Sequence, residues 1–124
     1  MADLRILIVE DNLTLAINLE AHFVEWGYEV LGIINSSEDA LEFIEDAKPD
    51  VVLMDINIKG EMNGIEVTKA ISHLNIFVVY ITAERNQETY DLAAATKGVS
   101  YLVKPFDMLT LRGTIELCIP HLRE

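Results

Sequence analysis

Apolar and polar positions come in blocks along this chain, and the blocks switch between two periods. Short runs rich in Val, Ile and Leu occur at Leu4–Val9, Glu29–Ile34, Val51–Asp55, Ile76–Ile81 and Ser100–Val103. Runs of this length bounded by polar residues read as buried strands. Between them, apolar residues recur every three or four positions, the spacing of one helix face. Asn12 is placed to cap a first helix carrying Ala16, Leu19, Phe23 and Trp26 inward and stopping at Gly27. Ser36, with Asp39 three residues on, opens a second helix with Ala40, Leu41, Ile44 and Ala47 inward, and Pro49 closes it. Val67, Ala70, Ile71 and Leu74 mark a third helix. The Ala-rich stretch from Asn86 to Lys97 predicts a fourth, with Gly98 as its stop. Leu111, Ile115 and Cys118 share a face of the fifth, which Pro120 ends or kinks.

Five strand–helix units in alternation predict an α/β fold with a parallel sheet covered on both faces. Right-handed crossovers make it doubly wound, with strand order 2-1-3-4-5 and the switch point between the first and third strands. Ligands of such sheets gather outside the carboxyl ends of the strands. The residues found there are chemically selective: Glu10 and Asp11 after the first strand, Asp55 at the end of the third, Thr82 after the fourth, Lys104 and Pro105 after the fifth.

Three carboxylates crowded at one edge repel one another, and without a counter-cation at least one would have its pKa raised. A magnesium ion resolves this, taking a few carboxylate oxygens and sharing its remaining positions with water and phosphate oxygens. Lys104 would balance a second part of a phosphoryl group, and the Thr82 hydroxyl would donate to it. No Gly-rich cradle follows the first strand, where Glu10-Asp11-Asn12 would repel a nucleotide phosphate. Asp55 is left as the acceptor, since carboxylates form acyl phosphates.

Composition narrows the setting. One domain spanning residues 1–124 is expected from the length. With 51% hydrophobic and 24% charged residues, the chain is too apolar for disorder. Its longest uninterrupted apolar run, Ile76–Ile81, is six residues, against the roughly 20 that span a bilayer. No signal peptide is expected, and the single Cys118 fits a reducing cytoplasm. A net charge of −12 argues against direct contact with nucleic acid or an anionic membrane.

The acidic pair Glu10-Asp11, the strand-end Asp55, Thr82-Ala83 and Lys104-Pro105-Phe106 together resemble the receiver domain of two-component response regulators, along the whole chain. The resemblance implies a flavodoxin-like three-layer sandwich of five strands and five helices. It implies that Asp55 is the phosphoacceptor, that Asp11, Asp55 and the backbone carbonyl of Asn57 ligate Mg2+, and that Glu10 acts through a metal-bound water. Lys104 would pair with the phosphoryl oxygens, on a Lys104–Pro105 bond in cis. Thr82 would move to the phosphoryl group, and Tyr101 would swing inward with it. The donor would be a histidine kinase or a histidine phosphotransfer protein. The surface of the fourth helix, fifth strand and fifth helix would then control a downstream protein or a fused effector domain. Such a chain is a switch, not an enzyme, catalysing only its own phosphorylation and dephosphorylation.

Two departures from the common pattern matter. The loop from Ile56 to Asn63 is one residue longer than usual and lacks the Pro that often follows the phosphoacceptor, and Lys59-Gly60-Glu61 within it reads as a mobile turn. Met108-Leu109-Thr110-Leu111-Arg112 lacks the charge pairs of the receivers fused to winged-helix domains, so their dimer is not expected. Competing classes fit less well. A haloacid-dehalogenase-like phosphohydrolase would want a second Asp where Asn57 stands, and a flavodoxin-like electron carrier would want a hydroxyl-rich loop after the first strand. A non-phosphorylated pseudo-receiver acting as a docking module is the remaining alternative.

Overall fold

The computed structural model describes residues 3–122. In chain order the elements are β1 (Arg5–Val9), α1 (Leu13–Glu25), β2 (Glu29–Ile34), α2 (Ser37–Ala47), β3 (Val51–Asp55), α3 (Gly64–Ala70), β4 (Phe77–Thr82), α4 (Gln87–Ala94), β5 (Gly98–Val103) and α5 (Met108–Leu122). All paired strands are parallel, and the sheet order is β2-β1-β3-β4-β5. The doubly wound α/β sandwich expected from the apolar pattern is the fold observed.

Alternation along each strand splits the core into two layers. Leu7, Val9, Val52, Met54, Val78 and Tyr80 face α2, α3 and α4, where Ala40, Ile44, Val67, Ile71 and Ala93 meet them. Ile6, Ile8, Val51, Leu53, Val79 and Ile81 face α1 and α5, against Ala16, Leu19, Phe23, Leu111 and Ile115. A strand buried on both sides has no polar face to show, which is why β3 reads as an unbroken apolar run.

Asn12 and Ser36 start their helices as predicted, and Asn63 and Asn86, read as a loop end and as part of a helix, also prove to be caps. Each of the four accepts the backbone N–H three residues on. The ends depart more. Helix α4 stops at Ala94, and Gly98 opens β5 instead of closing the helix. Thr96 turns the chain there: its hydroxyl donates to the Ala93 carbonyl at 2.6 Å and accepts the Gly98 N–H at 3.2 Å, and Gly98 then packs where a Cβ would collide with the Tyr80 ring. Helix α3 is short, so Leu74 lies beyond it and Ala70 faces solvent. Trp26, expected in the core, caps α1 half-buried and packs on Phe23 and Tyr28. Helix α5 continues through Pro120. No helix among the described residues is long and apolar enough to cross a membrane.

Candidate functional site

Register delivers the polar residues to one place. Val9 is level with Met54, Asp55 with Ile81, and Thr82 with Val103. The residues that end or follow these strands therefore emerge side by side at the carboxyl edge: Glu10, Asp55, Thr82 and Lys104. Lys104 is pinned by its own N–H, which donates to the Thr82 carbonyl at 2.7 Å, and the Lys104–Pro105 peptide is cis. Glu10 is pinned likewise by its N–H on the Ile34 carbonyl at 2.8 Å.

Carboxylate oxygens of Glu10, Asp11 and Asp55 lie within 4.8 Å of one another. Asp11 is exposed, whereas Asp55 keeps 3% of its surface and Glu10 1%. One cation stands among them. Lys104 Nζ is 3.3 Å from Asp55 Oδ2 and 2.6 Å from Glu10 Oε1. The second contact is a close ion pair, and Glu10 Oε2 accepts from the Asn12 N–H at 2.9 Å. Burial, and next the Asp55 carboxyl beside it, push the Glu10 pKa up to about 7. Burial pulls the Lys104 ammonium down, but Glu10 and Asp55 outweigh it and leave its pKa raised. This is a site with more negative charge than one lysine balances. The oxygen-only donor set, three carboxylates against one lysine, fits a hard divalent cation.

The remaining expected residues surround this core. Thr82 is fully buried, and its hydroxyl accepts the Glu84 N–H at 3.0 Å. Asn57 is exposed; its N–H donates to Asp55 Oδ1 at 3.1 Å, and its side-chain amide to Glu84 Oε1 at 3.4 Å. Tyr101 is half-buried, and its hydroxyl donates to the Glu84 carbonyl at 3.1 Å. Burial first, and the Glu84 charge second, raise the Tyr101 pKa.

Three features were not read from the sequence. Glu84 is half-buried and links Asn57 to Asn86, whose amide donates to its Oε2 at 3.0 Å. Tyr90 of α4 stands edge-on to Tyr101, ring centroids 5.2 Å apart. Gly64 lets α3 begin against the backbone of Asp55, since a Cβ there would collide with the Asp55 carbonyl and come within 2.9 Å of Met54 Cγ. A glycine in the first turn of a helix, directly after its polar cap Asn63, was the available clue.

A parallel sheet with acidic, hydroxyl and ammonium groups at its carboxyl edge defines the class as an α/β receiver-type signalling domain. The comparisons carry this to a family. The response regulator receiver domain model matches residues 6–116, and the chain belongs to that family. It is 33% identical over 121 residues to the transcriptional regulatory protein PdtaR of Mycobacterium tuberculosis, covering 97% of this chain and 58% of that protein. It is also 33% identical to sporulation initiation phosphotransferase F of Bacillus subtilis, covering 97% of each. Among solved structures, the signal receiver domain of a modulated diguanylate cyclase from Desulfovibrio desulfuricans superposes with a TM-score of 0.90 at 31% identity, covering 98% of both chains. The chain thus spans little more than half of PdtaR and nearly all of the sporulation protein. Receiver domains bind Mg2+ at an acidic pocket, and Glu10, Asp11 and Asp55 form such a cluster here.

Proposed function

We propose that this chain is a phosphoacceptor switch of a two-component system, taking a phosphoryl group from a phosphohistidine onto Asp55. The observation that carries the reading is the convergence of Glu10, Asp11 and Asp55 within 4.8 Å beside Lys104. Asp11, Asp55 and the Asn57 backbone carbonyl would hold Mg2+ directly, and Glu10 would act through water. The ion, when bound, would balance the carboxylates and draw charge from the phosphoryl oxygens.

Asp55 supplies the nucleophile. A carboxylate oxygen forms a bond to phosphorus as the P–N bond to the donor imidazole breaks, and the imidazole leaves with the electron pair. Lys104, already 3.3 Å from Asp55, turns to an equatorial phosphoryl oxygen and offsets the charge that develops there. The Thr82 hydroxyl exchanges its contact with the Glu84 N–H for one with the phosphoryl group. That shift bears on the loop after β4, where the Tyr101 hydroxyl already rests on the Glu84 carbonyl. Helix α4, which buries only Ala93 fully, is the weakest-held helix and moves with it. The repacked α4–β5–α5 surface then acts on a downstream protein or a fused effector domain. The donor would be a histidine kinase or a histidine phosphotransfer protein, and the setting the cytoplasm.

Intact mass after incubation with acetyl phosphate tests this. One phosphoryl adduct is expected, requiring Mg2+ and absent in Asp55→Asn. No adduct from acetyl phosphate or from any phosphohistidine donor would leave the pseudo-receiver reading. Multiple turnover of a phosphate ester would instead favour a phosphohydrolase.

A further inference from the structure

The loop between β3 and α3 is tied by its backbone to the start of α2. Lys59 forms a parallel bridge with Ser36: its N–H donates to the Asn35 carbonyl at 3.3 Å, and its own carbonyl accepts the Ser37 N–H at 2.8 Å. Two residues on, the Glu61 N–H donates to Glu38 Oε2 at 2.9 Å, and the Met62 N–H to Ser37 Oγ at 3.2 Å. The fully buried Ser37 hydroxyl donates its own proton to Glu38 Oε2 at 2.6 Å. Gly60 sits between these contacts at φ +109°, and a Cβ there would strike Ser37 Oγ and Glu38 Oε1. Exposed turns usually leave such N–H groups to water, whereas here side chains of α2 take them. Ile58 and Met62 close the underside by packing on the core layer facing α2 and α3.

The latch brackets Asn57. On one side, the Ile56 N–H donates to the Ile81 carbonyl at 3.2 Å; on the other, Lys59 is bridged to Ser36. The peptide whose carbonyl would serve the cation therefore has little freedom to turn. We propose that Ser37 and Glu38 are positioning residues for the cation site, setting the direction of the Asn57 carbonyl through the 58–62 loop. The inference rests on the reading of Asp11, Asp55 and Asn57 as the magnesium site. Groups that orient metal ligands from behind typically change affinity about 10–100-fold when removed.

The test is a Mg2+ titration of the whole chain, followed through backbone amide resonances, for wild type, Glu38→Ala, Glu38→Gln and Gly60→Ala. Thermal unfolding of each metal-free protein is measured alongside. Glu38→Ala and Gly60→Ala are expected to bind Mg2+ about tenfold more weakly. Glu38→Gln keeps an acceptor oxygen for Glu61 and Ser37 while losing the charge, and is expected to bind within about twofold of wild type. The metal-free melting temperatures of the Glu38 variants should agree with wild type within a few degrees, whereas Gly60→Ala, strained at φ +109°, should melt lower. Wild-type affinity in Glu38→Ala and Gly60→Ala would overturn the latch, as would Glu38→Gln binding as weakly as Glu38→Ala, since charge alone would then explain the loss. Wild-type protein that binds no Mg2+, or binds undiminished as Asp11→Asn, would overturn the cation site itself.

Discussion

Lys104 stands nearer to Glu10 than to Asp55, with Nζ 2.6 Å from Glu10 Oε1 and 3.3 Å from Asp55 Oδ2. The lysine is thus held more closely by Glu10 than by Asp55, the proposed phosphoacceptor, which is left only partly neutralised. Its position also makes it a rival of any divalent cation for the same charge.

That rivalry gives a first prediction. Lys104→Met removes a positive charge from the acidic cluster, so Mg2+ should bind several-fold more tightly. Transfer from acetyl phosphate should nonetheless slow by roughly a hundredfold, because the developing phosphoryl charge loses a donor. Opposite changes in the two quantities are the signature. A titration and a mass-spectrometric time course check it, and an unaltered transfer rate would remove Lys104 from the mechanism.

Thr82 should separate acceptance from output. Its hydroxyl takes the Glu84 N–H at 3.0 Å and has no hydrogen bond with Asp55. Thr82→Ala should still form the Asp55 adduct at close to the wild-type yield. The phosphorylation-dependent amide shifts of residues 83–106 should largely vanish. Shifts of undiminished size in the phosphorylated variant would place the trigger elsewhere.

Much of this site was legible because each element announces itself locally. A buried strand is a short apolar run, a cap precedes its helix, and parallel topology sends every strand end to one edge. Asp55, Thr82 and Lys104 needed nothing further. The loop from Asn57 to Asn63 was opaque for the opposite reason. Its partners Ser37 and Glu38 lie 25 and 23 residues away, from Met62 and Glu61 respectively, and no local pattern encodes a contact across such a gap. The place of Glu84 is hidden likewise, since its bond with Asn57 spans 27 residues. The end of α4 failed differently. Ala93 to Gly98 carries a helical composition and a stop signal, but the Thr96 hydroxyl bonds the Ala93 carbonyl and the Gly98 N–H and turns the chain earlier.

Gly64 should prove intolerant of even one methyl group. A Cβ would press on the Asp55 carbonyl and stand 3.0 Å from Ile56 Cα, both backbone atoms that cannot rotate away. Gly64→Ala should cost about 1–3 kcal/mol of stability, as overpacking does, and should slow adduct formation by shifting Asp55. Melting and transfer rate are to be measured together, and wild-type values for both would show that α3 yields at no cost.

Glu10 should make the metal-free protein less stable as pH rises. Its folded pKa is pushed up to about 7 from an ordinary 4.5, so between those values the folded state holds a proton that the unfolded chain has released. Stability then falls as pH increases through that window and levels off above about 7. The cost at the upper end is on the order of 3 kcal/mol, from 1.36 kcal/mol per pKa unit. Other groups titrate in the same range, so the informative quantity is the difference from Glu10→Gln, which cannot ionise. Urea midpoints in EDTA should place the wild type progressively below Glu10→Gln from pH 5 to pH 7.5. Saturating Mg2+ should abolish most of that gap by stabilising the ionised carboxylates. A constant gap across the pH range in EDTA would mean that Glu10 is already ionised at pH 5, and that Lys104 alone is enough to hold it so.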